Sequence, residues 1–106
     1  MDDFKYINDY CIRKQNSDFV KNNSVIIPDK ALILEHMKSG TLYGYTTAKV
    51  IDIVKSVEIS EMFDFLYTDG EYSWSATEIY HLEHYDIPIS DEFIEHVKSC
   101  SKRSKL

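Results

Sequence analysis

Residues 46–70 read TTAKVIDIVKSVEISEMFDFLYTDG, and the spacing of this stretch decides the fold class. At helical period, Thr46 or Thr47 caps a helix that carries Val50, Ile51, Val54 and Val57 on one side. Ser60 then caps a short second helix with Phe63, Leu66 and Tyr67 turned inward, and Asp69-Gly70 ends it as a turn. On that reading the middle of the chain is helical.

The flanks extend the same pattern. Upstream, Phe4, Ile7, Tyr10 and Cys11 predict a helix over residues 3–14, followed by a break at 15–17, with Phe19 and Val20 anchoring a turn. Asn22-Asn23-Ser24 reads as a loop, and Val25-Ile26-Ile27 is extended because Pro28 pushes its predecessor away from helix. Pro28 and Asp29 open a helix carrying Leu32, Ile33, His36 and Met37, and Gly40 stops it. Downstream, Ser75-Ala76-Thr77-Glu78 fits a capping box ahead of Ile79, Leu82 and Tyr85. Ile87-Pro88-Ile89 breaks that helix. Ser90 caps a last one, in which Asp91 and Glu92 meet the positive helix end and Phe93, Ile94 and Val97 face the core.

With three glycines and two prolines in 106 residues, the chain lacks the turn residues of an all-β sandwich. The expected architecture is all-α, a compact bundle of five or six short helices in one domain over residues 1–106, with a basic flexible tail at about 99–106. A small α+β fold using residues 25–27 and 43–46 as strands is the alternative. Two cysteines, Cys11 and Cys100, form no disulfide framework and read as reduced thiols. The start Met1-Asp2-Asp3 is no leader, and no apolar run nears the roughly 18 residues of a membrane span. A cytoplasmic location is expected; the C-terminal Ser104-Lys105-Leu106 also matches a peroxisomal address.

Charge is segregated more than the net value of −6 conveys. Residues 56–97 hold eleven acids and no lysine or arginine, whereas residues 1–55 hold seven acids against eight bases and residues 98–106 hold four bases. Helices folded from such a segment would crowd carboxylates onto their outer faces, creating a field that steers a basic partner. Tyrosine and tryptophan are common interface anchors, because they bury large area at small entropy cost. The expected partner-binding residues are therefore Asp69, Glu71, Tyr72, Trp74, Glu78, Tyr80, Glu83 and Asp86. Phosphate binding would need clustered lysine and arginine, so direct nucleic-acid binding is excluded.

Catalytic chemistry finds little support. Gly40, Gly44 and Gly70 stand alone, so there is no phosphate loop, and neither cysteine sits in a nucleophile motif. Glu78-x-x-His81 has di-metal spacing, but the chain has no second copy. His81, His84 and His96 then read as a surface cluster among acids, and neither a metal nor a cofactor is expected.

In size, acidity and its tyrosine-rich acidic stretch, DGEYSW at 69–74 followed by EIYHLEHYDIPISDEF at 78–93, the chain resembles bacterial immunity proteins of the contact-dependent growth inhibition type. The resemblance carries no family motif and assigns no binding residue. It implies a non-enzymatic protein that neutralises a basic toxin, a nuclease domain, by covering its nucleic-acid groove. A phage-type nucleic-acid mimic that inhibits a restriction or CRISPR nuclease and a helical adaptor or regulatory subunit are the alternatives.

Overall fold

A β-hairpin, not a helix, occupies the deciding stretch. The computed structural model describes residues 4–104, with side chains up to residue 101. In it, β3 (Lys49–Asp52) pairs antiparallel with β4 (Val57–Phe63), matching Val50 with Ile59, Ile51 with Glu58 and Asp52 with Val57. Val50, Ile51, Ile53, Val54, Val57 and Ile59 are all β-branched, stiff at χ1 and better packed on a pleated surface than in a helix. The link between the strands is set by Asp52, whose Oδ1 accepts from the amides of Val54 at 3.0 Å and Lys55 at 2.9 Å. That local bond offers the backbone an alternative to helical pairing. Ser56 completes the turn at φ 54°.

The all-α expectation is thus incorrect: the described residues form an α+β fold of four helices and six strands in two sheets. The second sheet has the order β1 (Lys5–Tyr6), β6 (Tyr72–Ser75), β5 (Leu66–Thr68), β2 (Thr41–Gly44). In it β1 runs parallel to β6 and the other neighbours are antiparallel. The helix expected over 60–67 is replaced by the end of β4 and the start of β5. The helix expected at the N-terminus is replaced by β1 and a 3-10 turn at Ile12–Lys14; Asp2 and Asp3 lie outside the described residues. In the alternative reading, residues 43–46 overlap β2, whereas residues 25–27 form no strand.

The helices are α1 (Ser17–Asn23), α2 (Lys30–Lys38), α3 (Ala76–Tyr85) and α4 (Asp91–Ser104). Helix α1 starts where a break was expected, because the Asn16 side chain accepts from the Phe19 amide at 3.2 Å. Helix α3 opens with the expected capping box, Ser75 and Glu78 each accepting from the other's backbone amide. Helix α4 continues through the residues expected as a tail as far as Ser104; Lys105 and Leu106 of the peroxisomal tripeptide lie outside the described residues.

Helices α2, α3 and α4 and strand β6 enclose a core of Ile7, Ile33, Met37, Trp74, Leu82, Ile87, Phe93 and Val97. Trp74 sits at its centre on β6, donating its indole N–H to the Met37 carbonyl at 3.0 Å. No helix among the described residues is long and apolar enough to cross a membrane.

Candidate functional site

The residues singled out for partner binding do not form one face. Tyr72 and Trp74 are 2% and 1% exposed, on a strand flanked by neighbours on both sides, so neither is available as an interface anchor. Their signature misled because a large aromatic serves a core and an interface equally well. Tyr80 turns its hydroxyl inward to Asp52 Oδ2 at 2.6 Å, alongside that of Tyr85, also at 2.6 Å. Asp52 is fully buried. Burial alone would raise its pKa, but the Tyr80 and Tyr85 hydroxyls and the Lys55 and Val54 amides outweigh that and hold it at about 2.

The expected acids are also less naked than their sequence suggests. Bases distant in the chain reach them: Lys5 to Glu71 at 3.4 Å and to Glu92 at 3.6 Å, Arg13 to Asp64 at 2.9 Å, and Lys38 to Glu83 at 2.7 Å. Lys30 pairs with Asp86, and Lys98 with Glu95 at 3.5 Å. Glu58, Glu61 and Asp91 are exposed and have no ion pair among the described residues.

The histidines divide differently from the expected surface cluster. His81 is buried, donating from Nδ1 to the Thr77 carbonyl at 2.7 Å while Nε2 accepts from the Ile53 amide at 3.0 Å. Burial lowers its pKa, so it serves as a neutral structural clamp between α3 and the hairpin turn. His96 on α4 instead joins His36 on α2. Both place Nε2 2.7 Å from Asp69 Oδ2, in the turn between β5 and β6. Asp69 Oδ1 meanwhile accepts from the Glu71 and Tyr72 amides at 2.9 and 2.8 Å. Burial pushes the Asp69 pKa up, and the Tyr72 amide, His36, the Glu71 amide and His96 together pull it down to about 2. No local spacing in the sequence could have linked His36 to residues 69 and 96.

Glu78 sits at the base of a cleft of about 520 Å³ lined by Tyr6, Asn8, Cys11, Arg13, Asp64 and Leu66, among others. Burial drives its pKa up to about 7, with Asp64 adding to the rise, against the Ser75 amide and the Asn8 side chain, which favour the charged form. Its carboxyl is spoken for by the cap and by Asn8, so it anchors α3 and does not project as a contact residue.

The surface that sequence reasoning missed lies beside this cleft. Phe63 and Phe65 stack with centroids 5.4 Å apart, Tyr45 packs edge-on to Phe65 at 5.4 Å, and the Lys49 ammonium lies 3.6 Å over the Phe63 ring. Tyr45 is 77% exposed, and Tyr43, Phe63 and Leu66 are each near 40%. Glu61 lies two residues before Phe63 on β4, and Glu58 three before Glu61. The only sequence signal was the i, i+2 recurrence of Tyr43 and Tyr45, and of Phe63 and Phe65, which a helical reading cannot use. Comparison of the chain with protein-family models, curated proteins and solved structures gives no match.

Proposed function

We propose that this chain is a non-enzymatic binding protein of the immunity type, which captures a basic toxin domain, a nuclease, and blocks its nucleic-acid groove. The observation that carries the reading is the ring cluster Tyr45–Phe65–Phe63, with Tyr45 and Phe63 exposed, together with Glu58 and Glu61 on the same strand as Phe63, both exposed and without an ion pair among the described residues. Exposed aromatics of this kind mark interaction surfaces, and exposed carboxylates on the same strand favour a cationic partner. The net charge of −6 adds long-range steering. The contact surface thus moves from the residues around Trp74 to the β2–β4–β5 side of the molecule. A phosphate-like array is less well supported, because Asp64, Asp69, Glu71, Glu83, Asp86, Glu92 and Glu95 all lie within ion-pair distance of a lysine, arginine or histidine.

The test is calorimetric titration against basic nuclease toxin domains, beginning with any that is encoded beside this gene, with nuclease inhibition measured in parallel. Tyr45→Ala and Phe63→Ala should each weaken binding by about 1–3 kcal/mol without unfolding the protein. Glu58→Lys with Glu61→Lys should slow association and flatten its dependence on salt. Absence of binding, or binding indifferent to all four substitutions, overturns the proposal.

A further inference from the structure

The His36–Asp69–His96 cluster lies on the α2–α4 side and has no part in the proposed docking surface. It has the composition and spacing of a cation site, and a fourth donor stands beside it. Cys100, one helical turn after His96 on α4, places Sγ 3.6 Å from His96 Nε2. The ligating atoms of His36, His96 and Cys100 all lie within 4.8 Å of one another. Three donors therefore converge, imidazole nitrogens from α2 and α4 and a thiol from α4, and a carboxylate oxygen of Asp69 from the β5–β6 turn lies 2.7 Å from both imidazole nitrogens.

We propose that His36, Asp69, His96 and Cys100 form a four-coordinate site for a borderline-soft divalent transition metal, zinc being the best match. Tetrahedral zinc with nitrogen at about 2.0 Å and sulfur at about 2.3 Å requires a nitrogen–sulfur edge of about 3.5 Å, close to the observed His96–Cys100 separation. The nitrogen–oxygen edges, 2.7 Å at present, widen by about half an ångström when a metal takes the place of the two N–H hydrogens. Mixed imidazole, thiolate and carboxylate donors select zinc, cobalt and their neighbours over magnesium or calcium.

The proton balance is also provided for. Coordination through Nε2 leaves each imidazole's proton on Nδ1, any further proton going to solvent, and the Cys100 thiol releases one proton to solvent as it becomes thiolate. At His96 the receiving nitrogen already faces a carboxylate, with Nδ1 3.8 Å from Glu71 Oε2. An outer carboxylate of this kind fixes ring orientation and strengthens the ligand. A route from solvent exists as well, through a cavity of about 280 Å³ lined by His36, Glu35, Ser39 and Cys100.

Titrating untagged protein with cobalt(II) and recording absorption tests this. One equivalent should give intense visible bands of four-coordinate cobalt and a near-ultraviolet thiolate charge-transfer band, and zinc should displace both. Cys100→Ser should abolish the charge-transfer band, whereas Cys11→Ser and His84→Gln should leave the spectrum unchanged. Glu71→Gln, on the surface and harmless to folding, should weaken zinc binding roughly 10–100-fold. A spectrum that stays that of hydrated cobalt, or a thiolate band that survives Cys100→Ser, overturns the proposal.

Discussion

At the scale of single residues, two carboxylates of opposite character set the response to pH. Asp52 is ionised inside the protein and held there by two phenol hydroxyls and two amides. Its folded pKa of about 2 lies below the ordinary 3.8, so its contribution is fully present above 3.8 and is lost as pH falls through about 2. Glu78 runs the other way. Its folded pKa of about 7 exceeds the ordinary 4.5, so stability declines as pH rises from 4.5 through about 7 and then levels off. Urea midpoints measured across that range should therefore pass through a maximum in mildly acidic solution. Glu78→Gln should remove the decline on the neutral side while keeping the amide-accepting oxygen of the cap. Asp52→Asn should cost about 1–3 kcal/mol at neutral pH, since an amide has one acceptor oxygen and cannot serve both the two tyrosine hydroxyls and the two backbone amides, and should blunt the acid limb.

Single elements meet at one crowded point, the stop of α2. A methyl group on Gly40 would lie 2.7 Å from Trp74 Cζ2 and 3.3 Å from the Met37 and Thr68 carbonyl oxygens. The indole is locked by its own hydrogen bond and by Phe93, so it has no room to retreat. Gly40→Ala should destabilise by about 1–3 kcal/mol, seen as a lower Tm together with a shift in tryptophan emission.

What was legible in the sequence followed from local signals. The stop at Gly40, the Asp69-Gly70 turn, the Ser75–Glu78 cap and the Ile87–Ile89 break all act within four residues, and all are present. The hairpin was not legible at helical period, because Val50, Ile51, Val54 and Val57 fall at i, i+1, i+4 and i+7, one side of a helix, by coincidence while their β-branching favours strands. Likewise the core role of Trp74 depends on β6 lying between β1 and β5, which no local pattern specifies.

Across the whole molecule, segregated charge along the chain becomes interleaved charge in space. Lys5, Arg13, Lys30 and Lys38 all come from the base-bearing first half and settle against acids of residues 64–92. Most of these pairs are solvent-exposed, where each contributes at most about 1 kcal/mol and is screened by salt. Adding about 0.5 M sodium chloride should accordingly leave the urea midpoint almost unchanged while sharply weakening capture of a cationic partner, so the two measurements together separate fold electrostatics from recognition.

The parallel pairing of Lys5 and Tyr6 with Tyr72 and Ser73 has a further consequence, for the order of assembly. The β3–β4 hairpin closes over four intervening residues, whereas β1 can dock only after more than sixty residues have been gathered between it and β6. The entropy of that long closure is spent before any contact offsets it, and a two-residue strand returns little. The edge of the sheet is therefore laid down last. Once formed, it is also the first part to open, so backbone amides at Lys5 and Tyr6 exchange with solvent long before those of the hairpin.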